Sequence, residues 1–241
     1  GSRYGDKYSG TLGDIGGFSL NYHKHIHCGE GGILVTDDDD YAERLRLIRN
    51  HAEAVVGDKG YTSLTNMIGF NFRLGEIESA IAIEQLKKLP GIIQRRQEIA
   101  RLLTSGLSHL RGLKIPAPIS CGSHVYYVYP MILDLDKISV TRDEIVKALQ
   151  AEGVEGISGG YQNIHLLPMY QAKIAYGSRG FPWSIDSTYH TIDYGPGSCP
   201  IAEQLHAETF MSIPMCMHEL LDKDVTLIIR AFEKVWDALV K

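Results

Sequence analysis

The 241-residue chain is poor in the features that mark several protein classes. Its four cysteines, Cys28, Cys121, Cys199 and Cys216, form no C-x-x-C pair and are too few to staple a chain of this length. That excludes a disulfide scaffold and fits a reducing cytoplasm. No run approaches the ~18 consecutive apolar residues of a membrane helix, and no charged-then-apolar leader opens the chain, so a soluble protein is expected. Basic clusters are missing too. With a formal net charge of −5 and no basic run, a nucleic-acid backbone is not an expected partner. Internal repeats and low-complexity tracts are also absent.

What remains is a globular composition, 44% hydrophobic and 22% charged, able to bury a core in one or two domains. Gly32-Ile33-Leu34-Val35-Thr36 reads as a short strand. Asp37 to Asp40 follow, with Leu45, Leu47 and Ile48 at helical spacing. The aspartates lack the alternating ligand order of a calcium loop, so they read as carboxylates favouring a helix N-terminus. Residues 51–66 read as a loop. Gly69-Phe70-Asn71-Phe72-Arg73 then leads into a helix through Leu89, which Pro90-Gly91 is expected to stop. A second long helix is expected from Ile92 to Leu110, with a domain boundary near Gly112, giving domains 1–112 and 113–241.

In the second domain, Val125 to Leu133 is β-branched and aromatic and reads as a strand. Thr141-Arg142-Asp143-Glu144 has capping-box spacing ahead of the apolar face of Ile145, Ala148 and Leu149. Val225, Ile228, Ile229, Phe232, Val235, Trp236 and Leu239 recur at three and four residues, as in a closing amphipathic helix. Between Gly156 and Pro200, glycine, proline and aromatics interleave without a sustained period, the pattern of a functional or mobile segment. The fold class is α/β.

The most chemical stretch is Gly16 to Gly32, where an apolar strand runs into Lys24 and then a glycine turn. A lysine amine becomes nucleophilic when deprotonated, and burial or neighbouring cations favour that state. Ser19 is placed to offer a hydroxyl to a phosphate, and Gly29 to Gly32 permit close backbone approach. The spacing suits a pyridoxal phosphate site. A β-hairpin with a solvent-facing lysine is the competing reading. His23, His25 and His27 alternate as on one face of a strand, beside Cys28. Ligands so spaced rarely close a zinc tetrahedron, so donors around a phosphate, a substrate hydroxyl or a neighbouring subunit are the better account, with His23 nearest.

Gly13 to Ser19, Lys24, Gly29-Glu30-Gly31-Gly32, Gly69 to Arg73, Gln85-Leu86 and Cys199-Pro200-Ile201-Ala202-Glu203 together resemble the pyridoxal-phosphate-dependent sugar aminotransferases of the DegT/StrS type. The resemblance implies a fold type I transferase, with this chain supplying the end of the large domain and the small C-terminal α/β domain. It implies that Lys24 is the Schiff-base lysine and then the proton carrier, that Ser19 holds the phosphate, and that Asn71 reaches the phosphate of a partner subunit in a homodimer. Arg73 is implied to face the donor carboxylate. His165, in His165-Leu166-Leu167-Pro168-Met169-Tyr170, is implied to lie near the sugar, with the aromatic stretch His124 to Tyr127 nearby. The reaction implied is transfer of an amino group from glutamate or glutamine to a keto sugar linked to a nucleotide.

The alternatives are a keto-cyclitol substrate or a catalytically silent, dimerising fragment. Sugar dehydration, which relatives achieve with histidine in place of the lysine, is disfavoured by Lys24. The resemblance also implies that the ring-stacking aromatic, the aspartate at the ring nitrogen and a phosphate-binding turn precede Gly1. This polypeptide alone is accordingly expected to be inactive.

Overall fold

The structure is a computed structural model that describes residues 1–53, 65–117 and 119–240. Most of the loop expected over 51–66 lies outside those residues. The chain forms two compact units, the first from Gly1–Ala100, Pro118–Tyr127 and Met215–Glu219, the second from Arg101–Ala117, Val128–Pro214 and Leu220–Lys241.

In the first unit, β1 (Arg3–Tyr4), β2 (Lys7–Tyr8) and β6 (Gly122–Ser123) make an antiparallel ribbon in the order β2-β1-β6. β3 (Gly16–Ser19) pairs antiparallel with β4 (Gly32–Val35), from Gly16↔Val35 to Ser19↔Gly32. α1 (Asp39–Arg49) follows the aspartate run for the expected reason. Asp38 caps it, its side chain accepting from the Tyr41 N–H at 2.8 Å, while Asp39 and Asp40 sit in the first turn and Arg46 and Arg49 in the last.

α2 (Glu76–Leu107) corrects the sequence reading, because 32 residues run through Pro90 as one helix instead of two. An internal proline costs roughly 3 kcal/mol. Ile99, Leu103 and Leu107 in the same helix are fully buried, and each such side chain contributes about 1.5–3 kcal/mol. Burial along the helix therefore outweighs the break.

In the second unit, β5 (Leu113–Lys114), β7 (Val128–Leu133) and β8 (Phe210–Pro214) form an antiparallel sheet in the order β5-β7-β8. α3 (Arg142–Ala151) has the expected capping box, Thr141 accepting from the Glu144 N–H and the Glu144 carboxylate accepting from the Thr141 N–H. α4 (Pro168–Ala172), α5 (Ser187–His190) and α6 (Pro200–Gln204) are short. They interrupt the segment that lacked a period. α7 (Asp222–Leu239) buries Val225, Phe232, Val235 and Trp236, and the Trp236 indole N–H donates to the Arg111 carbonyl at 2.9 Å. Those residues form the core with Tyr129, Met131, Leu133, Ile145, Leu149, Met211 and Ile213.

The strand expected from Val125 begins only at Val128. Tyr126 takes φ 52°, and its N–H donates to His124 Nδ1 at 2.8 Å, so a local turn uses the groups that a ladder would need.

Candidate active site

Leu20 and Cys28, both buried, anchor the ends of the loop that carries Lys24. The Leu20 N–H donates to Gly31 O at 2.8 Å and the Cys28 N–H to Leu20 O at 3.2 Å, so residues 21–27 leave the β3–β4 pair and return as a closed excursion. Gly29, at φ +92°, makes the return that an L side chain would strain. Within the excursion the Lys24 N–H donates to Asn21 O at 3.0 Å, a tight turn.

The turn corrects the expectation of three histidines on one strand face. Asn21 is the cause, because its carbonyl and side chain gather the following N–H groups and its amide donates to Glu30 Oε1 at 2.6 Å. The rings diverge as a result. His23 packs 5.9 Å from the Tyr127 ring, His25 Nε2 donates to Val125 O at 2.6 Å, and His27 is exposed. Burial pushes the His25 imidazole pKa down, against the opposing effect of its bond to Val125 O. His124 is likewise lowered by burial.

Lys24 is neither solvent-facing nor on a strand. Its Nζ lies 4.5 Å from the centre of the Tyr127 ring, a cation–π distance, and the side chain is half-buried. β3 and β4 pair as in a hairpin, while the amine turns toward Tyr127 instead of solvent. Tyr127 is fixed by the turn at 124–127 and by its carbonyl, which accepts the Met215 N–H at 3.2 Å. Burial pushes the Tyr127 hydroxyl pKa up. Burial likewise raises Cys216, while the positive charges of Arg96 and Lys24 oppose the shift. Cys216 and Arg96 had no signal in the sequence, because 192 and 72 residues separate them from Lys24 and neither belongs to a motif.

Ser19 ends β3, exposed, its Oγ accepting the Asn21 N–H at 3.3 Å, which leaves its hydroxyl proton free to donate. It lines a cleft of about 1130 Å3 with Gly17, Phe18, Gly32, Arg46 and Arg49. Lys24 does not line that cleft, so the volume alone does not define the site. Asn71 and Arg73 are brought together by Asn50, next to Arg49, Phe72 and Leu74, which line the same cleft. Asn71 bridges Asn50 through the backbone, and Arg73 Nη1 donates to Asn50 Oδ1. Both are exposed. A half-buried amine and a hydroxyl with a free proton suit the aldehyde and phosphate of pyridoxal phosphate, so these residues fit that group.

His165 lies in the second unit, on the turn Ile164–Leu166 that precedes α4. Its Nε2 is 2.9 Å from Glu203 Oε1. The Glu203 carboxylate also accepts the Gly197 N–H at 2.9 and 2.8 Å and the Cys199 N–H at 3.1 Å. The Gly197 N–H foremost, then His165 and Cys199, hold its carboxyl below the usual carboxylate range. Glu203 stood in the sequence only as part of a motif, with no role. The partnership spans 38 residues of irregular chain that no periodicity predicts.

Residues 1–193 match the DegT/DnrJ/EryC1/StrS aminotransferase family. The spore coat polysaccharide biosynthesis protein SpsC of Bacillus subtilis is 30% identical over 78% of this chain and 50% of its own length. The GDP-perosamine synthase of Caulobacter vibrioides is 33% identical over 70% of this chain and 44% of its own. The crystal structure of the aminotransferase TlmJ from Streptoalloteichus hindustanus superimposes with a TM-score of 0.72 at 27% identity, over 98% of this chain and 56% of that one. The chain thus spans about half the length of the relatives it matches. Its α/β fold is that of pyridoxal-phosphate-dependent aminotransferases, and the chain belongs to the DegT/DnrJ/EryC1/StrS aminotransferase family.

Proposed function

We propose that the whole protein is a cytoplasmic, pyridoxal-phosphate-dependent enzyme that transfers an amino group from glutamate or glutamine to a keto sugar carried on a nucleotide. The observation that carries this reading is the half-buried Lys24 amine, held 4.5 Å over the Tyr127 ring five residues after Ser19, in a chain of this family. A relative named for a GDP-linked sugar supports the nucleotide-linked substrate. Four free thiols support a reducing compartment.

The bound cofactor supplies an aldehyde that condenses with amines and a ring that stabilises charge developing at the donor α-carbon. The rest is the work of this chain. Lys24 Nζ is the amine that holds the cofactor and, when free, the base that takes and returns a proton. Tyr127 confines that amine to one side of its loop, which raises its effective concentration at the reacting carbon. Ser19 Oγ donates to the phosphate. His23, packed on Tyr127, borders the substrate, and Arg73 keeps guanidinium N–H groups beyond its bond to Asn50 for the donor carboxylate. His165 meets a sugar hydroxyl.

Asn71 acts from a partner subunit in a homodimer, a reading supported by its exposure. Mixing Asn71→Ala with Lys24→Ala subunits is expected to restore one working site per heterodimer. For the whole reading, borohydride reduction of the cofactor-loaded protein and peptide mapping are expected to place the pyridoxyl group on Lys24. Label on another lysine overturns it.

A further inference from the structure

His165 and Glu203 form a pair that transamination alone does not require, and its geometry has a definite chemical consequence. The two side chains are shielded, 14% and 21% exposed, and meet at 2.9 Å. Neither is loosely placed. The His165 carbonyl accepts from Gln171 Nε2 at 2.8 Å, and the same amide donates to Tyr194 O at 2.5 Å. Tyr194 is fixed in turn by the Trp183 indole N–H, which donates to its hydroxyl at 3.1 Å. Glu203 is tied to the main chain by the N–H groups of Gly197 and Cys199.

We propose that Glu203 is a positioning residue that locks His165 in the Nε2–H tautomer, leaving the Nδ1 lone pair to accept a hydrogen bond from a substrate hydroxyl. A carboxylate has only acceptors, so the ring nitrogen facing it must carry the proton. In a neutral imidazole the other nitrogen is then unprotonated. Among the described residues, Nδ1 has no protein partner. The carboxylate stays ionised because its hydrogen bonds favour the charged form, so Nε2 keeps facing an acceptor. The ligand class is a polyhydroxylated one whose O–H groups donate. That clause rests on the sugar reading above, whereas the tautomer does not.

A merely structural Glu203, stapling the 197–199 turn, would leave the tautomer unaffected. The discriminating change is Glu203→Ala. Oε1 serves His165 and the Cys199 N–H at once, so a carboxamide could keep its oxygen toward the ring, whereas alanine removes the acceptor and releases the proton to either ring nitrogen. Long-range 1H–15N correlation spectra of the 15N-histidine-labelled chain, with His165 assigned by its disappearance in His165→Gln, report the protonated nitrogen directly. The wild type is expected to show a protonated Nε2 and an unprotonated Nδ1, with intermediate shifts at both nitrogens in Glu203→Ala. A wild-type Nδ1–H tautomer overturns the proposal without any variant having to fold, as does a Glu203→Ala spectrum with the wild-type pattern. GDP-mannose added to the wild type separates the two readings. A shift confined to Nδ1 supports the hydroxyl acceptor. The expected tautomer with no response of Nδ1 overturns the sugar contact of His165 and leaves the lock intact.

Discussion

Lys24 and Tyr127 are joined by one contact with a narrow physical meaning, an ammonium on an aromatic face. Such contacts are worth about 0.5–1 kcal/mol when exposed and ~2 kcal/mol when desolvated, so this one orders the amine more than it stabilises the fold. Tyr127→Phe is expected to preserve it and Tyr127→Leu to remove it. If the lysines are reductively methylated with 13C-formaldehyde, the ring current should shift the Lys24 methyl signal upfield in the wild type and in Tyr127→Phe, but not in Tyr127→Leu. An unshifted signal in the wild type would rule out the contact. His25 makes a pH prediction. Its pKa is lowered on folding, chiefly by burial, so below about pH 6.5 the unfolded chain takes up the proton first and stability falls. The loss is complete below the folded pKa. His25→Gln, which keeps a donor for Val125 O, is expected to flatten that part of the stability profile in urea titrations at pH 7.5 and pH 5. A parallel loss in both proteins would assign the effect to other groups.

Among the elements, α2 shows where local rules yield to packing. Pro90 is exposed inside a 32-residue helix and withholds one backbone N–H. Pro90→Ala should restore that bond and stabilise the chain by roughly 1–3 kcal/mol, read from the denaturant midpoint. Destabilisation would mean that a bend at Pro90 is needed by its neighbours. The same contrast explains what the sequence revealed. α3 and α7 were legible because their signals are local, a capping box in one and a sustained apolar stripe in the other. β7 was legible as an element but not in its start, since Tyr126 at φ 52° depends on a hydrogen bond to His124. At the site, Lys24 stood out by its place between an apolar strand and glycines. The inward turn of its amine did not, because it depends on Tyr127, 103 residues away, and Asn21 made a turn where alternation implied a strand. His165 was named without Glu203 because their pairing crosses an aperiodic segment.

For the molecule as a whole, the distribution of apolar surface carries a prediction. Among the described residues of the first unit, eight of the eighteen large hydrophobic side chains left exposed fall on three short stretches. Ile33 and Leu34 lie on β4, Phe70 and Phe72 precede α2, and Ile77, Ile81, Ile83 and Leu86 occupy the first turns of α2. Ile77 is 74% exposed and Phe72 66%. The Phe70 and Phe72 rings stack 4.7 Å apart, a flat aromatic surface. Isolated exposed leucines or isoleucines need no explanation, but contiguous patches drive association. At about 25 cal/mol per Å2, hiding even a few hundred Å2 of such surface is worth several kcal/mol, more than surface ion pairs in the range of 0–1 kcal/mol can counter. The 241-residue polypeptide is therefore expected to self-associate at micromolar concentration, with a mass by light scattering above the monomer's 26.8 kDa. Ile77→Lys combined with Phe72→Ser changes only exposed positions, so folding should survive and the mass should fall toward the monomer. A monomeric wild type, or association unchanged in the double variant, would show that these side chains do not drive assembly.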